Sequence, residues 1–521
     1  MYTMKKIEIY DCTLRDGAQM YKINFSISDK IKIIKKLDKF GIDFIEAGNP
    51  GSNPKEKELF KKIENLKLNY SKIVAFGSTR HAGIKANEDI NLKKLIEANT
   101  KYVCIYGKSW DFQVKEILKT TLEENLKMIS SSIKYLIKNG KTVFFDAEHF
   151  FDGYKNNKDY ALKVLTTAIN SGASRVILCD TNGGVFPDEV YKIVKDVRKK
   201  FKDVKFGIHC HNDMELAVSN TIAAADAGVY QIQGTINGFG ERCGNTNLCS
   251  VIPTLELKKK IKCIKDPSNL YMITEVSRYI DEVSNHISNP ANPYVGNLAF
   301  THKVGAHINA INKNSKSFEH INPEEVGNSR RKLISELAGK SAIYEIVKKY
   351  ESDILKTDKR IAAILKKIKE MEKNGYQFED ATGSLEIIIA EQLGIYKRLI
   401  DIIYTKVIVE RENSVAVVKV KVKEKESLST AEGIGPVDAI NTALRKAIGK
   451  LYKNLPSIRL IDYKVRALDS STGCEARVLV NIQTTNGQKN WDTIGVSTDI
   501  VSATTEALID SIEYAKLNKV L

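Results

Sequence analysis

The chain has 521 residues, 80 Lys and Arg against 64 Asp and Glu for a net charge of +16, and 43% hydrophobic residues. That balance belongs to a globular protein with room for three or four domains, or one large barrel with additions, and it excludes a disordered chain, a collagen and a coiled-coil rod. No segment offers the ~18 uninterrupted apolar residues of a membrane span, and the N-terminal stretch MYTMKKIEIYDCTLRDG has no apolar h-region, so a cytoplasmic protein without a membrane partner is expected.

Lysines lie beside Asp or Glu in helix-like stretches such as KIIKKLDKF and KEKELFKKIENLK. This reads as a solvated face, and no compact basic block interleaved with aromatics suggests nucleic acid. The eight cysteines, Cys12, Cys104, Cys179, Cys210, Cys243, Cys249, Cys263 and Cys474, form no CxxC pair. Several sit in apolar runs, so reduced thiols are expected rather than disulfides or a zinc knuckle.

In chain order, short β-branched and aromatic runs alternate with longer helical segments. Strands are expected at 7–12, 44–48, 72–78, 102–107, 142–148, 175–180, 204–211 and 229–236. Gly41, Gly140, Gly172 and Gly228 stand just past helical patterns, where a left-handed cap favours glycine. Eight strand–helix units in about 250 residues match a (β/α)8 TIM barrel. The alternative, an open doubly wound sheet, normally carries a glycine-rich phosphate turn after an early strand; none follows IEIYDC. The predicted organisation is α/β: a catalytic barrel over 1–265, a lysine-rich helical subdomain over 266–400, and a C-terminal α+β regulatory or dimerisation domain over 401–521.

The last zone holds a weak strand–strand–helix repeat. Gly433, Gly435 and Asp438 open a helix in one copy, and Gly495 with Asp499 does so in the other. Such repeats can place an effector site or a dimer axis between copies, or be two similar packing units.

His209-Cys210-His211 ends the seventh strand, so both imidazoles project to one face and can bind a metal. Asp16, in Asp11-Cys12-Thr13-Leu14-Arg15-Asp16-Gly17, ends the first. In a closed barrel it can complete a set of two histidines and one carboxylate, with open positions for substrate oxygens. Arg15 offers an always-charged fork for a carboxylate or oxyanion. Glu148 closes strand five, Asp180-Thr181 strand six, and a glycine-rich loop ending at Asn245, another oxygen donor, follows strand eight. Bland readings stand beside these: a capping Asp16, a surface Arg15, ordinary polar histidines, a salt-bridged Glu148, and a tight turn for the glycines.

Together, DCTLRDG, HCHND and GFGERCGNTN resemble the acyl-CoA-dependent synthases of the metal-dependent Asp-Arg-Glu barrel superfamily, which make isopropylmalate, homocitrate and citramalate. THKVGAHINA and AEGIGPVDAI extend the resemblance over nearly the whole chain. EAGNPGSNPKE, KIVAFGSTR and FFDAEHFFDGYK are most similar to the long citramalate-forming branch. The resemblance implies a divalent ion (Mn, Mg or Zn) on Asp16, His209, His211 and Asn245. It implies catalytic Arg15, Glu148 and His307, with Arg15 and Thr181 on the 2-oxo acid, and it makes Arg15 and Glu148 the Arg and Glu of the superfamily's name. The implied reaction joins acetyl-CoA to pyruvate in a Claisen-type condensation and hydrolyses the thioester to (R)-citramalate and CoA, in isoleucine biosynthesis. 2-Oxoisovalerate or 2-oxoglutarate is the alternative acceptor, a lyase or a non-enzymatic barrel the alternative class. A homodimer with isoleucine as feedback inhibitor is also implied, with Gly433, Gly435, Asp438 and Gly495 as effector candidates. Two positions depart from the family pattern: His149-Phe150 replaces the Asp-Ala of many isopropylmalate synthases, and Phe318 stands where relatives often carry Tyr.

Overall fold

A computed structural model describes residues 6–332, 340–411, 413–449, 458–468, 476–487 and 489–519. Cys474, and part of the helix expected through ISELAGKSAIYEIVKKY, lie outside them. The chain divides into two compact units, Met1–Phe300 with His320–Arg330, and Thr301–Glu319 with Arg331–Leu521. The middle zone 266–400 is thereby shared between them.

In the first unit, strands and helices alternate: β1 (Glu8–Asp11), α1 (Ile27–Phe40), β2 (Phe44–Gly48), α2 (Pro54–Ile63), β3 (Lys72–Ser78), α3 (Ile90–Glu97), β4 (Tyr102–Lys108), α4 (Leu122–Lys138), β5 (Thr142–Glu148), α5 (Phe150–Asn156), α6 (Lys158–Asn170), β6 (Arg175–Asp180), α7 (Pro187–Lys200), β7 (Phe206–Cys210), α8 (Ala217–Ala227) and β8 (Gln231–Gly234). The eight strands form a closed barrel in sequence order. Closure is carried by β1, which pairs in parallel with β2 and with β8, Glu8 opposite Gln231 and Asp11 opposite Gly234. The open-sheet alternative is thereby excluded. α9 (Leu248–Pro253) and α10 (Ile273–Val283) complete the unit, Lys36 of α1 pairing with Glu275 of α10.

Local chemistry sets these boundaries. Ser26 and Asp29 form a capping box at the start of α1, and Gly41 ends it at φ 104°. Gly228 ends α8 in the same way at φ 98°. Between those caps, Ile33, Ile34, Leu37 and Phe40 of α1 face the barrel and are fully buried. Strands covered on both sides read as unbroken apolar runs, and every residue of β2 and of β7 is buried. Inside the barrel an apolar layer of Tyr10, Phe44, Val74, Cys104 and Phe144 fills the lower half. Two steps beyond Phe44 and Phe144, β2 and β5 carry the buried acids Glu46 and Asp146.

The second unit opens with β9 (Thr301–His302), paired in parallel with β10 (Arg331–Lys332), and with α11 (Gly305–Lys313). Helices α12 (Lys340–Tyr350), α13 (Lys359–Lys373) and α14 (Thr382–Gln392) follow. Two antiparallel sheets come next. The first is β11 (Ile400–Val409), β12 (Ser414–Val422) and β13 (Lys425–Gly433) with α15 (Pro436–Gly449). The second is β14 (Arg459–Ala467), β15 (Val478–Thr485) and β16 (Asn490–Ser497) with α16 (Ile500–Leu517). Each copy of the repeat thus has three strands before its helix. The extra strand β13 buries Ser427, Ser429 and Ala431 and exposes Leu428, so its alternation of hydrophobicity is inverted.

Gly433 and Gly495 serve packing in both copies. A Cβ on Gly433 would lie 2.4 Å from the Ala439 backbone nitrogen, and one on Gly495 2.0 Å from the Ala503 carbonyl oxygen. Each glycine therefore lets a helix rest directly on its strand. Asp438 accepts from the Ile434 N–H at 3.1 Å, and a Cβ on Gly435 would meet open space.

Seven cysteines are free thiols among the described residues, six buried and Cys243 exposed. No helix among them is long and apolar enough to cross a membrane.

Candidate metal centre and active site

The site begins with a turn. At the end of β1, Asp11 accepts from the Thr13 backbone N–H at 3.0 Å and its hydroxyl at 2.8 Å. The Thr13 hydroxyl accepts in turn from the Ile236 N–H at 2.9 Å, tying the loop after β1 to the loop after β8. Asp11 is therefore a structural acid, and the turn it makes sets Arg15 and Asp16 at the mouth of the barrel.

There Asp16 meets the two histidines. Ligand atoms of Asp16, His209 and His211 lie within 4.8 Å of one another, and all three residues are buried. His209 Nε2 is 3.6 Å from Asp16 Oδ2. The fourth expected ligand arrives through the glycine loop. Asn245 N–H donates to the Gly238 carbonyl at 3.0 Å, and a Cβ on Gly240 would lie 2.2 Å from Asn245 Nδ2. A tight turn presses the loop onto Asn245 and sets it beside His211, with which it forms an isolated bridge. The tight turn of the bland reading is present in this loop.

The donor chemistry fits a cation. Asn245 Oδ1 and His211 Nδ1 are buried without a hydrogen-bond partner. Orphaned buried acceptors are costly unless something positive completes them. Burial works to raise the Asp16 carboxyl, but Arg15, His209 and His211 outweigh it and hold it at about 2. Burial lowers His209 to about 4 and His211 in the same direction. One carboxylate and two neutral imidazoles are the protonation states a divalent ion requires.

Arg15 stands beside this centre. It donates Nε–H to Glu46 Oε1 at 2.5 Å and Nη1–H to Asp16 Oδ2 at 3.0 Å, and its guanidinium lies 3.7 Å over the Phe76 ring. Glu46 also accepts from the Tyr10 hydroxyl at 2.6 Å. The carboxylate that holds Arg15 is thus Glu46, which the sequence reading missed. Its signal was an acid inside the apolar strand FIEAG. Glu148 instead pairs with Lys108, its register neighbour on β4, at 2.6 Å, the salt bridge of the bland reading. Thr181 accepts from the His149 N–H at 2.9 Å, leaving its own O–H to donate.

Arg15, Asp16, Glu148, Thr181, His209 and His211 all line one cavity of about 540 Å³. Phe76 and Tyr106 also line it, their rings stacked at 5.6 Å. Phe144 lies in the apolar layer with Tyr10 and Phe44. His307 belongs to the second unit, on α11, where its ring stacks on Phe318 at 4.1 Å.

Three family models match the chain. HMGL-like covers residues 6–280, homocitrate synthase post-HMGL domain-like covers 294–376, and the LeuA allosteric (dimerisation) domain covers 357–516. The (R)-citramalate synthase of Aquifex aeolicus is 47% identical over 517 residues, 98% of each chain. That of Geobacter sulfurreducens is 47% identical over 522 residues, 99% of this chain and 98% of its own. A probable 2-isopropylmalate synthase of Archaeoglobus fulgidus is 30% identical over 515 residues, 98% of this chain and 97% of its own.

Proposed function

The chain belongs to the (R)-citramalate synthase family of acyl-transferring enzymes, and from that premise we propose that it condenses acetyl-CoA with pyruvate and hydrolyses the product to (R)-citramalate and CoA. The observation that carries this reading is the convergence of Asp16, His209 and His211 on one point beside Arg15, within a single barrel-mouth cavity.

Asp16, His209, His211 and Asn245 would hold the divalent ion: ligand atoms of the first three gather within 4.8 Å, and Asn245 Oδ1 and His211 Nδ1 are buried without a partner. When bound, such an ion polarises the carbonyl of a 2-oxo acid as a Lewis acid. The Thr181 hydroxyl, which accepts from the His149 N–H and keeps its own proton, would donate to the acceptor's carboxylate. Arg15 cannot rotate freely, because Glu46, Asp16 and Phe76 hold it on three sides. A clamped cation needs no reorganisation when negative charge develops on the enolate oxygen, which is where such a group lowers a barrier most. Glu148, held on Lys108 at the cavity wall, and His307 are assigned to activating the water that hydrolyses the thioester. The stacked Phe76 and Tyr106 rings form a rigid wall that suits a small acceptor such as pyruvate.

The LeuA allosteric (dimerisation) domain supports a homodimer and effector control. The effector we propose is isoleucine, the end product of a citramalate route. The deciding experiment measures CoA thiol release with pyruvate, 2-oxoisovalerate and 2-oxoglutarate under Mg2+, Mn2+ or Zn2+. Pyruvate should give the highest kcat/KM; a preference for 2-oxoisovalerate would move the chain to the isopropylmalate-forming reading.

A further inference from the structure

Beneath His209 a chain of hydrogen bonds crosses the inside of the barrel. His209 Nδ1 lies 3.1 Å from Gln233 Oε1 on β8. Gln233 Nε2 donates to Asp146 Oδ1 on β5 at 3.2 Å, and the Cys104 thiol of β4 donates to that same oxygen at 3.1 Å. Gln233 is fully buried, and His209, Asp146 and Cys104 are buried with it. An amide can be drawn either way round, but here its partners decide. Asp146 Oδ1 also takes the Cys104 thiol, which makes it the accepting oxygen of that carboxyl, so the amide nitrogen of Gln233 faces it and the carbonyl oxygen faces His209. A carbonyl oxygen only accepts. His209 must therefore carry its proton on Nδ1, which leaves the Nε2 lone pair directed at Asp16, 3.6 Å away.

We propose that Gln233 is the positioning residue of the metal centre. It locks His209 in the Nδ1–H tautomer with Nε2 free for the ion, and Asp146 and Cys104 keep its amide the right way round. The inference rests on the cation reading of Asp16, His209 and His211, and adds which group orients the ligand. Without Gln233, His209 could place its proton on Nε2 and donate it to Asp16, closing the site with an internal hydrogen bond. Partners of this kind change metal affinity by ~10–100-fold when removed.

The test uses the full-length, metal-free protein with 15N-labelled histidine and two substitutions, Gln233→Leu and Gln233→Glu. Long-range 1H–15N correlation of the parent should show His209 protonated at Nδ1. Gln233→Leu should weaken Mn2+ binding, measured by calorimetry, ~10–100-fold and release that tautomer preference. Gln233→Glu keeps an acceptor toward Nδ1 and should bind Mn2+ more tightly than the leucine variant. Unchanged affinity in Gln233→Leu would overturn the proposal while leaving the cation site standing. So would a parent His209 protonated at Nε2, a readout that needs no variant to fold. A parent that takes up no Mn2+ would overturn the cation reading and this inference together.

Discussion

Glu46 accepts the Nε–H of Arg15 at 2.5 Å from a position 31 residues further along the chain. Glu46 is fully buried and Arg15 partly so, and Tyr10 fixes the other Glu46 oxygen at 2.6 Å. Breaking a buried pair from one side leaves an uncompensated charge and costs ~3–5 kcal/mol. Glu46→Ala should therefore lose stability of that order in urea unfolding and should lower kcat more than it raises the KM for pyruvate. A variant of parental stability and turnover would show that Glu46 does not hold Arg15.

Arg15 also holds Asp16, a residue of the candidate metal centre. Its removal takes away the cation that competes for Asp16 Oδ2. Arg15→Ala should reduce CoA release by ~10²–10³-fold while Mn2+ binding stays as tight or tightens. Loss of Mn2+ binding would mean that Arg15 organises the metal centre rather than the oxyanion.

Effector control calls for a point substitution, because the helical part of the second unit leans on the C-terminal sheet. Leu479 and Ile494 share a core with Ile361, Ile364 and Ile389, so truncation after residue 400 would open that core. Asp438→Ala removes only an exposed contact to the Ile434 N–H. It should raise the isoleucine concentration for half-inhibition by about tenfold or more, within the usual range of allosteric coupling, at unchanged uninhibited turnover. Unaltered inhibition would move the effector away from this loop.

Gly495 predicts a packing defect. Any Cβ there would sit 2.0 Å from the Ala503 carbonyl, so the helix must shift off the strand. Overpacking of this sort costs ~1–3 kcal/mol. Gly495→Ala should lower the thermal midpoint of the protein, and an unchanged midpoint would show that α16 has room to retreat.

One pH effect follows from α16. Glu513 accepts from the Leu399 and Ile400 N–H groups, each at 2.8 Å, and from the Tyr396 hydroxyl. Burial raises its carboxyl above the ordinary glutamate range, despite those donors. A raised acid favours folding in its protonated form. Its stabilising contribution is full below the ordinary range and is lost as pH rises through the raised value. Glu513→Gln keeps the acceptor for both N–H groups without the charge. It should therefore flatten the decline in the urea midpoint between mildly acidic and alkaline pH; an identical slope in the variant would exclude Glu513 as its source.

Much of the site could be read from residue spacing. His209-x-His211 faces one way because strand side chains alternate, and a closed barrel brings the end of β1 beside them. Asn245 was legible as an oxygen donor because a glycine-rich loop leads into it. Glu46 and Gln233 were not. Glu46 stands alone in the apolar strand FIEAG and Gln233 in the short strand QIQG, and what each holds depends on which strand lies across the barrel and at what height. β13 escaped for a different reason: its buried side chains are serines and alanine, chosen by a helix that packs close.

The amino-acid sequence by itself determined the strands and helices of the barrel, its closure, the family and the group types at the mouth, because these follow from local periodicity and from motifs carried by neighbouring residues. Tertiary structure alone decided the pairings: Arg15 with Glu46, Glu148 with Lys108, His209 with Gln233. The reason is physical. A barrel's register sets which distant side chains share a layer, and in a buried layer each polar group must take the partner that the register brings to it.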